Sequence, residues 1–165
     1  MKFSLKSIAL SAALIVAAAS GSGGAIARDG GPFTPFLGDW RGAGHVTTKD
    51  GKSESINCRA HYQVSPEGAE LTQSLVCASD SYRFDVQCHV IADGKSVAGT
   101  WRETSRNIDG NLIGQIDNGA FTGNVDGPGF KAALSLRTNG RKQSVDIRPG
   151  EGDITSVSVA LTRGG

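Results

Sequence analysis

The sequence predicts an all-β domain: an antiparallel up-and-down meander of about eight to ten strands. Three observations predict it. From Trp40 onward apolar and polar residues alternate with period two. Turn-forming clusters interrupt that alternation at about 8- to 12-residue spacing. No stretch after the N-terminal apolar run holds a 3.6-residue period with a cap at each end.

The chain of 165 residues opens with Lys2 and Lys6, then runs uncharged and mostly apolar from Ile8 to Ala19. Ser20 to Gly24 break the run, and Ala25-Ile26-Ala27 sets small residues where a signal peptidase reads them. The apolar run is shorter than the roughly 20 residues of a membrane span. Residues 1–27 are therefore expected to be a cleaved secretory signal, with the mature protein starting near Arg28 and free in the periplasm or medium. Removal of Lys2 and Lys6 leaves 15 basic against 16 acidic residues, a net charge of −1. That balance gives no electrostatic claim on nucleic acid, and the cleaved chain is not expected to be an integral membrane protein. Residues 28–37 read as a lead-in and 38–165 as one domain with one core.

Within the domain, Ile56, Cys58, Ala60, Tyr62 and Val64 alternate with Asn57, Arg59, His61 and Gln63. After Pro66-Glu67-Gly68 come Leu71, Gln73, Leu75 and Cys77 on one face, then Phe84, Val86, Cys88 and Val90. Asp93-Gly94 is a hairpin turn leading into Val97, Gly99 and Trp101. Leu112–Ile116, Ala120–Val125, Phe130–Leu136, Gln143–Ile147 and Ser156–Leu161 repeat the form between further turn pairs. A sandwich would satisfy the same alternation, but short sequential hairpins favour closure into a barrel, which leaves no open edge. The outward set carries Arg, His, Asp and Gln, which does not suit the apolar outer face of an outer-membrane barrel.

Strand register decides the cysteines. With the turn centred on Glu67 and Gly68, Val64 faces Leu71, Tyr62 faces Gln73, Ala60 faces Leu75, and Cys58 lies opposite Cys77. A directly opposed pair can meet disulfide spacing, so a Cys58–Cys77 bridge is expected. Cys88 falls too far along its strand to compete and is expected as a free, inward-facing thiol.

Reactive constellations are sparse. The sequence contains no G-x-S-x-G, H-E-x-x-H, C-x-x-C or phosphate-binding glycine loop. His61 and His89 alternate outward with a strand between theirs, and zinc needs three or four converging ligands. Asp50, Asp93, Asp109, Asp117 and Asp126 are expected at turns, supporting local backbone. No metal, cofactor or catalytic set is expected.

Two tryptophans sit in near-copies of one phrase, Gly38-Asp39-Trp40-Arg41 and Gly99-Thr100-Trp101-Arg102. The first follows the apolar lead-in Phe33-Thr34-Pro35-Phe36-Leu37. This arrangement resembles the lipocalins and the wider calycin superfamily, whose first strand carries Gly-x-Trp. The resemblance implies that the lead-in plugs one barrel end and that a basic residue of the final strand packs across the tryptophan. Gly38, Trp40 and Arg163 match those positions. It further implies a small, mostly apolar ligand in the interior, bound by Tyr62, Gln73, Phe84, Trp101 and Phe121, with Leu75, Val86, Leu134 and Val145 completing the lining. Gln73 would supply a polar contact to the ligand, or would instead satisfy Tyr62 across the strand pair. Small inward residues (Ala60, Gly99, Gly114, Gly123, Ala132) leave room for a cavity and equally suit a tightly curved, filled barrel. The other function class is an envelope interaction protein, an inhibitor or assembly factor, acting through rim loops such as Asp126–Gly129 and Arg148–Asp153.

Overall fold

The computed structural model describes residues 30–164; the expected signal segment lies outside them. A single 3-10 turn, Thr34–Phe36, precedes ten strands: β1 Gly38–Thr48, β2 Ser53–Val64, β3 Glu70–Ala78, β4 Arg83–Asp93, β5 Ser96–Glu103, β6 Ile108–Asp117, β7 Ala120–Gly127, β8 Phe130–Asn139, β9 Lys142–Pro149 and β10 Ile154–Arg163. Each pairs antiparallel with its successor, and β1 pairs with β10, so the sheet closes into an up-and-down barrel rather than a sandwich.

Period-two alternation is why these segments are strands: in β2 every second residue from Ile56 to Tyr62 is buried and those between are exposed. Two-residue turns fit the right-handed twist, as at Asn118 (φ 47°) and Gly119 (φ 72°), where both central residues take positive φ. Closing the wall also needs close strand approach. A Cβ added at Gly42 or Gly44 of β1 would stand 1.9 Å and 2.0 Å from the carbonyl oxygens of Ala160 and Ser158 on β10.

The β2–β3 register is the expected one: Val64 faces Leu71, Tyr62 faces Gln73, Ala60 faces Leu75 and Cys58 faces Cys77. Cys58 and Cys77 form the disulfide, and Cys88 is free and buried. The bridge closes a separation of 19 residues, which in the chain-entropy view stabilises the fold by about 3 kcal/mol.

One expectation is corrected. Asp109 and Asp126 lie inside strands, not at turns, because β6 starts at Ile108 rather than Leu112 and β7 runs to Gly127 rather than Val125. Asn107, at φ 55°, reverses the chain early. Asp109 then pairs across strands with Arg102 at 3.2 Å, on the outer face.

The core runs along the barrel interior, with Trp40 and Tyr62 at the end where β1 begins. Trp40, Tyr62, Ile56, Ile116 and Val46 are its largest fully buried side chains. The lead-in covers this end. Phe33 and Phe36 are buried, and the backbone N–H groups of Gly31 and Phe33 donate to the carbonyls of Glu67 and Gly68.

Candidate functional site

The closed end is built around Trp40. Its indole N–H donates to the Phe36 carbonyl at 2.7 Å, fixing the plug to the barrel. The Arg163 guanidinium stands 4.6 Å from the indole centroid and also donates to the Pro35 carbonyl. The cation over the tryptophan, the plug and Gly38 (φ 111°) thus come together as one assembly.

Above it, four polar side chains span the floor of the lumen. The Gln73 amide donates to the Tyr62 hydroxyl at 3.2 Å, Tyr62 donates to the Gln143 amide oxygen at 2.9 Å, and Gln143 donates to the Thr138 hydroxyl at 2.9 Å. The expectation that Gln73 satisfies Tyr62 is therefore met. Tyr62, Gln143 and Thr138 are buried, whereas Gln73 is half-buried. Phe36 meets the Tyr62 ring edge-on at 6.1 Å from below. Burial pushes the Tyr62 phenol pKa well up, against the pull of its two amide partners, so it stays neutral. Burial alone pushes the Cys88 thiol, whose residue faces Gln73 across strands, up to about 12.

Above the floor, exposure differs around the barrel, and Val46 and Ile56 on β1 and β2 stay buried towards the mouth. Ile116 and Leu161 near the floor are buried; Leu75, Val86, Leu134 and Val145 on the inner wall are half-buried. Aromatic side chains frame the mouth: Tyr82 stacks on Phe84 with centroids 6.3 Å apart, and Trp101 meets Phe130 edge-on at 5.6 Å. Glu103 lies buried at this rim. Its carboxylate accepts from the Ser105 hydroxyl and the backbone N–H groups of Asp85 and Arg106. Burial opposes ionisation there, but those donors and the Arg106 guanidinium outweigh it and hold the pKa at about 2.

The inward glycines do not leave gaps everywhere. A Cβ at Gly114 or Gly123 would fall 2.7 Å from the Phe121 ring, and one at Gly110 only 2.5 Å from the Trp101 indole nitrogen. Both rings pack against glycine backbone. Phe121 is consequently buried in the wall, and Trp101 is tied by its N–H to the Asn111 and Asp126 carbonyls at 3.2 Å. Of the five expected ligand contacts, Gln73, Phe84 and Trp101 are half-buried, and Tyr62 and Phe121 are buried. Gln143 and Thr138 complete the polar floor although sequence reading did not single them out. Their inward positions follow from the alternations Gln143, Val145, Ile147 and Leu134, Leu136, Thr138.

His61 pairs with Asp39 at 2.8 Å and His89 with Glu70 at 2.6 Å, both on the outer face. Among the described residues no three His, Cys, Asp or Glu side chains converge to hold a metal ion, and no helix is long and apolar enough to cross a membrane. The outer wall carries a shallow groove of about 940 Å³ across β5–β9, where Ile113 is 59% exposed.

The plug, the cation over Trp40 and the closed meander define a calycin-like β-barrel in architecture. Comparison of structures agrees at the level of fold. The chain is similar to Rv2717c from M. tuberculosis, with TM-score 0.64 and 12% identity over 80% of this chain and 94% of that one. It is also similar to the S-type phycobiliprotein lyase CPES from Guillardia theta, with TM-score 0.54 and 11% identity over 81% and 90% of the two chains. No protein-family model and no curated protein sequence matches the chain.

Proposed function

We propose that this protein is a non-catalytic, exported binding protein that holds a small, mostly apolar molecule in the barrel lumen. The observation that carries this reading is the half-buried apolar wall of Leu75, Val86, Leu134 and Val145 above a buried floor. Apolar surface left accessible inside a closed barrel is surface a ligand can cover, and covering it is favourable by about 25 cal/mol per Å². The chemistry of the lumen supports holding rather than converting. Its two ionisable groups at the floor, Tyr62 and Cys88, are both pushed towards their neutral forms, and a protonated thiol is a poor nucleophile. That a similar barrel is a phycobiliprotein lyase is compatible with a ligand in this fold and does not carry its reaction here.

Native mass spectrometry of protein secreted by an exporting host tests the reading. A co-purified small molecule of defined mass supports it, and an intact mass beginning at Arg28 supports export. The second reading, an envelope interaction protein, is favoured by the outer groove and its exposed Ile113 more than by the rim loops. An empty barrel bound to a second protein would support that reading instead.

A further inference from the structure

Resting on the carrier reading, we infer that the bound molecule carries a neutral hydroxyl head, which docks on Gln73 at the floor while its apolar tail points to the mouth. The floor relay runs Gln73 to Tyr62 to Gln143 to Thr138, and in it every side-chain oxygen and nitrogen has a partner except the Gln73 carbonyl oxygen. The Gln73 carbonyl oxygen accepts from no described residue and is not buried, so it is presented to the lumen. The other polar atoms of the relay are engaged and the residues that carry them are buried. Gln73 is thus the one point at which a ligand can join the chain of hydrogen bonds.

Charge chemistry at the site selects the head. Among the described residues, strand alternation turns every strand Lys, Arg and His outward except Arg163, which lies beneath the floor against Trp40. A carboxylate or phosphate head at the floor would therefore be desolvated without a cation to meet it, the Arg106 guanidinium over Phe84 lying at the mouth, and that is costly. An ammonium head would find Tyr62 and Cys88 held neutral and no carboxylate at the floor. A hydroxyl costs little to desolvate and gains one bond. It also serves either sense of the relay, since each amide can turn over and each hydroxyl can rotate. From Gln73 to the end of β3 at Ala78 the tilted strand rises about 12 Å, the length of a tail of about ten carbons.

The test uses the mature protein loaded with the neutral reporter N-phenyl-1-naphthylamine, displaced in turn by 1-decanol, methyl decyl ether and decanoate. The expected order is decanol tightest, the ether weaker by roughly fivefold for the lost or weakened hydrogen bond, and decanoate weakest. In Q73L the decanol preference should vanish while the ether's affinity is unchanged, a comparison that holds whatever the variant does to stability. Equal binding of decanol and ether by the wild type, or retention of the preference in Q73L, would overturn the hydroxyl subsite and leave the carrier standing. Tightest binding by decanoate would overturn the neutral head. If neither reporter nor any decyl compound binds, the carrier reading itself falls.

Discussion

Arg163, at the end of the last strand, packs its guanidinium 4.6 Å from the ring centroid of Trp40, near the start of the first. The two are direct partners in the β1–β10 register, so the contact sits on the seam where the barrel closes. The same guanidinium reaches the Pro35 carbonyl of the plug. One side chain therefore couples the seam to the cap. R163A should lower unfolding stability by about 2 kcal/mol, at the upper end for a desolvated cation–π pair because a plug contact goes with it. R163K should keep part of the loss at bay, since an ammonium retains the charge but not the planar stack. Urea unfolding of both variants measures this; equal stability of R163A and wild type would show the contact to be idle.

The staple predicts a thiol count. The native protein should react with no thiol reagent at pH 8, because Cys58 and Cys77 are bridged and Cys88 is buried with its pKa pushed up to about 12. Denaturation without reductant should expose one thiol. The C58S/C77S double variant should lose about 3 kcal/mol under oxidising conditions. A double variant as stable as wild type would mean the bridge adds nothing beyond strand pairing.

The turn at Glu67-Gly68 and a single alternating strand were enough to place Cys58 against Cys77, because a one-residue slip would have turned every apolar side chain of β2 outward. Period two and turn spacing likewise indicated about eight to ten strands and favoured their closure over a sandwich, and the structure has ten in a closed barrel. What they could not reveal was contact between residues distant in sequence. Tyr62 and Gln143 are 81 residues apart and lie on strands that are not neighbours. Their bond exists only because the barrel closes and its floor narrows. The glycines were ambiguous for a similar reason. Alternation puts Gly114 and Gly123 inside, but whether the space is empty depends on the rotamer of Phe121, which lies across both. The start of β6 was misread because Asn107 takes a positive φ, a choice of backbone that residue type favours but does not dictate.

Glu103 makes stability depend on acid pH. Its carboxylate titrates at about 2 in the folded chain against an ordinary value of 4.5. A lowered folded value means that the unfolded chain takes up the proton first as pH falls. Stability from this group is therefore fully present above about 5 and is lost progressively between about 5 and 2. E103Q should be less stable at pH 7 by about 2 kcal/mol, the scale of hydrogen bonds to a charged acceptor. The gap should close as pH approaches 2. Thermal melts of both proteins across that range check it, and a gap independent of pH would show that the charge on Glu103 is not what the rim uses.

Y62F separates the polar floor from its aromatic packing. Phenylalanine keeps the edge-on contact with Phe36, so the plug should remain seated. Loss of the hydroxyl leaves the buried Gln143 amide oxygen without its donor and the Gln73 amide without its acceptor. The cost should be about 2 kcal/mol, more than the net value of one neutral hydrogen bond, because a buried acceptor is left unsatisfied. Gln143→Leu in the Y62F background should recover part of the loss, since removing both partners of a buried bond is cheaper than removing one. Chemical denaturation of the single and double variants measures that coupling. A double variant less stable than Y62F by the full cost of Gln143→Leu alone would show that the two side chains act independently.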